Sequence, residues 1–367
     1  MGASGGDIFT SMKCFLWHPE ASVIGDDRAL REALAVPGRA FRIGGVGPHP
    51  EGQAVFETLT SGSSGAPRRI LRSMDSWIAS FAVNAGMFGI GPGCRVAVLG
   101  DLVHSLALYG ALEALHLGAK VALLGGMRPD RQVLALDGAQ VIYATPAQLR
   151  LLVEAGWQAC GLILVGGSKL DAGLRAALAG AELREFYGAA EASFITLAGP
   201  DAPIDSVGSV YPGVEIDLRA GQIWVRSPYL FQGYAGADAG GAVWDQGWLS
   251  VGEMGRLEAG YLYLSGRVGR MVTVADQNVF PEEIESFIAG LPGVARVAVL
   301  PRPDALRGAV MVAVLQGDRL AEAAVLAACR GRLGALIAPR AVIWVADWPV
   351  LASGKTDLLR LAREVGL

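Results

Sequence analysis

Apolar residues in the first half of the chain form short continuous runs, separated by longer segments with helical spacing. The runs predict buried strands at 96–99, 120–124, 141–143 and 162–165. Segments 104–117 and 146–155 lie between these runs and predict helices. Nearly continuous apolar strands that alternate with helices are typical of a parallel sheet covered on both faces. The first half therefore predicts an α/β fold.

The pattern changes after about residue 205, where short runs are separated by Gly, Pro and Asp. The runs at 214–218, 222–225 and 261–264 predict a small antiparallel β subdomain. Beyond residue 266, strands are predicted at 271–274, 294–300 and 309–315, and helices at 281–291 and 320–333. We therefore predict two domains, a large one of parallel and mixed sheets at 1–266 and a smaller α+β domain at 267–367.

Composition narrows the class of protein. Hydrophobic residues make up 52% and charged residues 18%, which argues against a disordered chain. A net charge of −4 provides no basic field, so we expect no nucleic-acid partner. The four cysteines form no CxxC pair, which favours a reduced, cytoplasmic protein. Asp101, Glu113 and Lys120 interrupt the longest apolar region, so we expect no membrane span.

The most distinctive polar feature is the segment TSGSSGAPR at 60–68. Glycines let the backbone approach a polyphosphate, hydroxyls donate hydrogen bonds, and an arginine adds positive charge. The candidate phosphate ligands are Thr60, Ser61, Gly62, Ser63, Ser64, Gly65 and Arg68. A Ser/Gly-rich surface turn is the alternative interpretation of this segment.

A Walker phosphate loop does not fit the chain. No Gly-Lys-Ser/Thr closes segment 60–68, and the Gly-Lys-Thr at 354–356 would need glycine at position 349, where the chain has Pro349. A kinase-type site, whose product would be ADP rather than AMP, is therefore disfavoured.

Six segments, in the same order along the chain, resemble motifs of the adenylate-forming superfamily: acyl-CoA synthetases, peptide-synthetase adenylation domains and luciferases. They are 60–68, 186–191 (similar to YGxTE), 206–213 with 221–234 (GEIWVRGP…GY), 247–253 (GWxxTGD), 266–285 (GRxDDxIxxxGxxVxPxEIE) and 349–355 (PxTxSGK). The resemblance covers nearly the whole chain. It implies a C-terminal domain that is mobile relative to the larger domain.

The resemblance also implies a reaction, in which a carboxylate attacks the α-phosphorus of ATP and expels pyrophosphate. Lys355 matches the lysine that bridges the acid and the α-phosphate, and Glu191 matches the residue that holds Mg²⁺. The other implied ATP ligands are Tyr187, whose ring would stack on adenine, Gly167 and Ser168 at the adenine edge, Glu253 at the ribose hydroxyls, Arg267 at the ribose or phosphate, and Gly188. Each of three residues has an alternative interpretation: Lys355 as a solvated lysine, Glu191 as an exposed loop glutamate, and Tyr187 as a core tyrosine.

Five positions need separate comment. His104 lies where the family places a residue of the acid pocket, and a core histidine is its alternative. Ala190 replaces a threonine that bonds the α-phosphate, a loss worth roughly 1.5–3 kcal/mol. Gly269 occupies the hinge position and still permits rotation. Asp276 replaces a glycine that lines the pantetheine tunnel. The loop at Thr60 begins early, so we expect a shortened N-terminal subdomain, as in some short ligases.

The sequence therefore predicts an ATP- and Mg²⁺-dependent ligase that activates a small carboxylic acid as an acyl-adenylate. Ala/Leu-rich helices favour an apolar pocket for an aryl or medium-chain acyl group. CoA or a phosphopantetheine carrier protein is the expected acceptor, although Asp276 leaves open an enzyme that stops at the adenylate or uses a non-thiol acceptor. A degenerate family member that binds nucleotide or acid without turnover is the alternative from another class.

Overall fold

The structure, a computed structural model, describes residues 13–60, 68–236, 241–351 and 355–367. Up to residue 267 its strands are β1 (Ser22–Ile24), β2 (Phe41–Arg42), β3 (Val55–Leu59), β4 (Arg69–Ser73), β5 (Arg95–Val98), β6 (Lys120–Leu123), β7 (Val141–Ala144), β8 (Leu162–Val165), β9 (Glu182–Ala189), β10 (Ser193–Leu197), β11 (Ser209–Val210), β12 (Glu215–Arg219), β13 (Gln222–Arg226), β14 (Gly233–Ala235), β15 (Val243–Asp245), β16 (Trp248–Ser250), β17 (Glu253–Glu258) and β18 (Tyr261–Arg267). The helices are α1 (Arg28–Leu34), α2 (Met74–Phe88), α3 (Ser105–Leu117), α4 (Pro129–Ala135), α5 (Pro146–Glu154) and α6 (Ala172–Ala177).

Fourteen of these described strands form one continuous sheet. Its order is β1-β6-β5-β7-β8-β9-β10-β11-β18-β17-β13-β16-β15, and β12 pairs with β13. The pairs from β1 to β9 are parallel, and the strands from β9 onward pair antiparallel. The α/β fold with parallel and mixed sheets is thus confirmed. The antiparallel strands predicted as a small subdomain continue the large sheet through β10 and β11.

Helix α3 is buried on all sides, which explains its almost wholly apolar sequence. It lies between β5, β6 and β7 on one side and α2 and β3 on the other. Every residue from Ala107 to Leu115 is buried, including the charged Glu113. The helix ends at Gly118, whose φ of 87° is left-handed and suits a glycine cap.

A second, four-stranded sheet has the order β14-β4-β3-β2 and lies at the base of the candidate phosphate loop. Strands β3 and β4 pair antiparallel, and segment 60–68 connects them. Strand β14 adds to the other edge of β4, with Tyr234 opposite Ile70. Residues 233–235 are therefore held beside the base of the loop.

The remainder of the chain folds into a smaller α+β unit after a 3₁₀ turn at Val268–Arg270. Its strands are β19 (Val272–Val274), β20 (Gln277–Val279), β21 (Val294–Asp304), β22 (Gly308–Gly317) and β23 (Ala341–Trp344), and its helices are α7 (Pro281–Ala289), α8 (Glu322–Leu333) and α9 (Leu358–Glu364). The apolar clusters of this unit use residues from Val272 onward, whereas those of the larger part end at Leu264. The domain boundary at 266/267 remains a prediction.

Most predicted elements start and end within a few residues of the observed ones. Strand β21 is longer than predicted because it continues through Pro301 and Pro303. It lies at the edge of the sheet β21-β22-β23, where proline removes no central hydrogen bond. Across the described residues, no helix has the length and apolar character needed to cross a membrane.

Candidate active site

The candidate phosphate loop has a hydrogen-bonded neck. The Thr60 amide donates to the Arg68 carbonyl oxygen at 2.9 Å, and the Arg68 amide donates to the Thr60 hydroxyl at 3.0 Å. The predicted ligands between them lie outside the described residues: Ser61, Gly62, Ser63, Ser64 and Gly65. The neck fixes where the loop begins and ends on the sheet formed by β3 and β4.

Glu191 lies in the turn between β9 and β10 and is connected to this neck through Tyr234. The Tyr234 hydroxyl donates to a Glu191 carboxylate oxygen at 2.8 Å. The Arg68 guanidinium lies 5.6 Å from the centre of the Tyr234 ring, within the range of a cation–π contact. Burial and the Glu191 carboxylate raise the pKa of Tyr234, so its hydroxyl remains a donor.

Three further charged residues, distant in sequence, lie near one another, and the charge of Glu191 acts on two of them, Glu253 and Lys355. Glu253 begins β17 and Arg267 ends β18, and these paired strands let Arg267 Nε donate to Glu253 at 2.8 Å. Lys355 lies close enough for the charges of Arg267, Glu253 and Glu191 to act on its ammonium group. We call Glu191, Glu253, Arg267 and Lys355 the charged centre.

Burial strengthens the electrostatics at two residues of the charged centre, Glu253 and Lys355. Glu253 is only 8% exposed, and this burial raises the pKa of its carboxyl although Arg267 and Lys355 oppose the shift. Burial and the Arg267 charge lower the pKa of Lys355, against the attraction of Glu253 and Glu191. Charges that are removed from water interact more strongly with a bound anion, and perturbed pKa values mark candidate functional sites.

Tyr187, in β9, presents a partly exposed ring and a buried hydroxyl. Among the described residues that hydroxyl has no hydrogen-bond partner. Burial, with the nearby Glu253 carboxylate, raises its pKa well above the ordinary value, so it stays protonated. A buried donor without a protein partner supports a ligand beside Tyr187.

Three further predicted ATP ligands, Gly167, Ser168 and Gly188, lie at two neighbouring strand ends. Gly167 and Ser168 follow β8 and are exposed. Gly188 lies in β9, where an added Cβ atom would come within 2.1 Å of the Ser193 carbonyl oxygen. Only glycine allows β9 and β10 to approach this closely. Contact of these three residues with the nucleotide remains a prediction.

His104 lies beside the neck of the loop, at the residue that precedes α3. Its backbone forms a parallel bridge with Leu59, and the hydroxyls of Thr58 and Ser105 are 2.9 Å apart. Its Nδ1 atom is buried without a hydrogen-bond partner among the described residues. The start of α3 and the phosphate loop therefore share one corner of the molecule, and the role in an acid pocket remains a prediction.

Two residues with predicted roles in the second half-reaction, the transfer of the acyl group to its acceptor, are exposed. Gly269 lies in the turn at Val268–Arg270, and an added Cβ atom there would meet nothing. Asp276 lies in the tight turn between β19 and β20, and its φ of 63° is in the left-handed region that favours glycine. The hinge and tunnel roles remain predictions.

Arg72 is a candidate positioning residue that the motif comparison missed. It is fully buried in β4, and its guanidinium donates to the carbonyl oxygens of Ala190 and Tyr229 and, at 2.7 Å, to the Ser193 hydroxyl. Burial lowers its pKa to about 9. Arg72 lies two residues after the buried Ile70 and therefore on the same face of β4, so strand periodicity alone could have shown an inward-facing arginine.

A divalent cation would find the Glu191 carboxylate at this site, since Glu253 is paired with Arg267, rather than a complete set of ligands. Among the described residues, no three His, Cys, Asp or Glu side chains are grouped to hold a metal ion. Mg²⁺ in nucleotide sites commonly binds one or two carboxylates, with phosphates and water supplying the remaining oxygens. The residues present therefore fit Mg²⁺ that arrives with ATP and meets Glu191.

Comparisons with known proteins agree with this geometry. The family model described as AMP-binding enzyme matches residues 22–235, and that of the AMP-binding enzyme C-terminal domain matches residues 283–355. The chain is 33% identical over 329 residues to the uncharacterized acyl-CoA ligase YhfT of Bacillus subtilis (strain 168), covering 83% of this chain and 67% of YhfT.

Solved structures show the same fold. ATP-bound MatB from Rhodopseudomonas palustris aligns with a TM-score of 0.74 and 25% identity, covering 84% of this chain and 67% of MatB. The amide bond synthetase McbA from Marinactinospora thermotolerans aligns with a TM-score of 0.74 and 26% identity. The alignment covers 91% of this chain and 76% of McbA. Because one family model alone matches more than half of its residues, the chain belongs to the AMP-binding enzymes, the adenylate-forming superfamily its motifs resemble.

Proposed function

We propose that this AMP-binding enzyme uses ATP and Mg²⁺ to activate a small carboxylic acid as an acyl-adenylate, releases pyrophosphate, and transfers the acyl group to CoA. The observation that carries the proposal is the charged centre. In it, Lys355 lies within electrostatic range of Glu191, Glu253 and Arg267, and Arg267 pairs with Glu253. The family membership of the chain and its acyl-CoA ligase relative support the same reaction.

Lys355 is the residue best placed to act on the reacting groups. The carboxylate and the α-phosphate are both anionic, so a cation between them reduces their repulsion and stabilises the charge that develops on transfer. Its partly buried position makes this interaction stronger than it would be in water. The lowered pKa of Lys355 means that the group loses its proton at a lower pH than an exposed lysine.

The remaining residues hold the nucleotide. ATP supplies the phosphoanhydride bond that breaks, and Glu191 would hold the accompanying Mg²⁺. Arg68, at the neck of the loop, faces the ring of Tyr234, which in turn orients Glu191. Tyr187 would contact the adenine base of the nucleotide. Glu253 and Arg267 would hold its ribose or phosphate.

The names of similar proteins suggest which molecule accepts the acyl group. CoA is the first candidate because YhfT is named an acyl-CoA ligase. A phosphopantetheine carrier protein is the second, and a non-thiol acceptor is the third, since McbA is named an amide bond synthetase. For any thiol, we propose that the smaller unit rotates at Gly269 and brings Asp276 to the tunnel. The cytoplasm, where ATP and CoA are available, is the proposed location.

Acid-dependent exchange of labelled pyrophosphate into ATP tests the first step. We expect exchange with at least one acid from a panel of aliphatic acids, benzoate and o-succinylbenzoate. The exchange should require Mg²⁺, and net turnover should yield AMP rather than ADP. Calorimetric binding of ATP without exchange for any acid would instead identify a nucleotide-binding protein and refute the proposal.

A further inference from the structure

Three aromatic side chains form a continuous wall behind the candidate active site. The Phe186 and Phe194 rings are 4.4 Å apart between centroids, and the Phe194 and Tyr109 rings are 5.3 Å apart. Tyr109 also contacts the Trp77 ring at 5.1 Å. We call Phe186, Phe194 and Tyr109 the aromatic wall.

The outer end of the aromatic wall borders the nucleotide residues. Phe186 directly precedes Tyr187 in β9, and its ring is only partly buried, whereas Phe194 and Tyr109 are almost fully buried. The ring lies against Gly166, where an added Cβ atom would come within 2.1 Å of Phe186 Cζ. Phe186 therefore fills the space between the ends of β8 and β9, next to the predicted adenine contacts.

The inner end of the wall lies on α3, the helix that follows the predicted acid-site residue His104. His104, beside the neck of the loop, precedes the helix, and Tyr109 lies five residues further on. At 1.5 Å of rise per residue, this separation is about 7.5 Å along the helix axis. An acyl group that entered at the level of His104 would reach the level of Tyr109 after little more than one helical turn.

A buried polar network holds the wall in place. The Tyr109 hydroxyl bonds to Ser80 at 2.7 Å and accepts from Asn84 Nδ2 at 3.1 Å. Asn84 Nδ2 also donates to Glu113 at 2.8 Å, and Tyr211 donates to Asn84 Oδ1 at 2.6 Å. Swinging Tyr109 aside would break its two buried hydrogen bonds, with Ser80 and Asn84, so the wall resists displacement by a long acyl chain.

We propose that the aromatic wall closes the acid site and restricts the substrate to short-chain or single-ring carboxylic acids. The inference rests on the proposed function and names the substrate class of the same site. Acids with long alkyl chains are excluded because Phe186 and Tyr109 occupy the path that such a chain would take. A flat aromatic or short aliphatic group can pack against the partly exposed Phe186 ring instead.

The test is pyrophosphate exchange with acetate, butyrate, hexanoate, laurate, palmitate and benzoate, for the natural chain and for Phe186→Ala. We expect the natural chain to use acids no longer than hexanoate, or benzoate, and to reject laurate and palmitate. Phe186→Ala should raise kcat/KM for the next longer acid relative to the best short acid by about tenfold, the scale of one methylene in an apolar pocket. Phe186 is partly exposed, so the variant is expected to fold.

Phe287→Ala is the matched control, because this phenylalanine is also partly buried but belongs to α7 in the smaller unit. It should leave the order of preferred acids unchanged. Efficient use of palmitate by the natural chain would overturn the inference while leaving the proposed function intact, and so would an identical acid profile in Phe186→Ala. Absence of exchange with every acid would instead refute the proposed function, and the inference with it.

Discussion

The charged centre and the buried network around Glu113 both hold polar groups in an apolar fold. The two regions differ in whether those groups find hydrogen-bond partners within the protein. In the network, Glu113, Asn84 and Tyr109 bond to one another between α2 and α3. At the charged centre, the nearby Tyr187 hydroxyl is buried without a described partner. Buried polar groups that satisfy one another fix a structure, whereas one that lacks a partner indicates a site that a ligand completes.

Lys355→Ala, in the charged centre, should have the largest effect on the rate of the reaction. Removal of one positioned donor to a developing charge typically slows a reaction by about 10²–10³-fold. We expect a loss of this size in acid-dependent pyrophosphate exchange, with little change in the free energy of unfolding. Steady-state rates and denaturant titrations measure the two quantities.

Lys120→Ala provides the matched control, because Lys120 is an exposed lysine at the start of β6. It should leave both quantities unchanged. The lowered pKa of Lys355 predicts in addition that the natural enzyme loses activity as the pH rises, at a lower pH than an ordinary lysine would cause. Equal rates for Lys355→Ala and Lys120→Ala would show that the charged centre has no catalytic role.

Arg72→Met tests a residue that links the two kinds of region, since Arg72 is buried like the network but bonds to the segment that carries Glu191. The variant keeps the length of the side chain and removes its donors to Ala190, Ser193 and Tyr229. Each buried acceptor left without a partner costs roughly 1–3 kcal/mol, so we expect a loss of stability of about that size or more. Thermal unfolding measures it.

A change in KM for Mg·ATP would distinguish positioning from simple stability. If Arg72 orients the Ala190–Glu191 turn, Arg72→Met should raise KM for Mg·ATP in the fraction that remains folded, and Arg72→Lys should restore it in part. Arg28→Met, at an arginine with an 85% exposed side chain, should change neither quantity. An unchanged KM in Arg72→Met would leave Arg72 with a structural role alone.

Much of the charged centre could be predicted because each of its residues lies in a recognisable motif. Glu191, Glu253, Arg267 and Lys355 were named from four separate segments. The structure pairs Arg267 with Glu253 and places Lys355 within electrostatic range of the other three. The fold class was also accessible, since the apolar strands of β5 to β8 alternate with helices over short distances. Motif order carries information about distant contacts that local pattern alone does not.

The aromatic wall and the single large sheet could not be predicted in the same way. Phe186 and Phe194 belong to neighbouring strands, but Tyr109 comes from a helix far away in the sequence, and only packing brings the three together. The pairing of β11 with β18 likewise joins segments about fifty residues apart through one short bridge. Such contacts depend on the whole fold rather than on any local period.

The pH dependence expected from Glu113 sharpens the contrast with Lys355. Burial raises the pKa of the Glu113 carboxyl from 4.5 to about 8, although its hydrogen bonds with Tyr143 and Asn84 oppose the shift. The folded chain therefore holds a proton in this interval that the unfolded chain releases. The free energy of unfolding should fall as the pH rises from 4.5 to about 8 and level off above that, on the order of 1.4 kcal/mol per pKa unit at most.

Glu113→Gln removes the titrating group but keeps an acceptor for the buried donors. Denaturant unfolding across this pH interval should therefore show a smaller decline in stability for the variant than for the natural chain. Glu20→Gln, at an exposed glutamate, should keep the natural slope. Identical slopes in Glu113→Gln and the natural chain would mean that Glu113 is charged in the fold. The network would then resemble the charged centre after all, because a buried carboxylate would need a cation or a ligand that the bonds around Tyr109 do not supply.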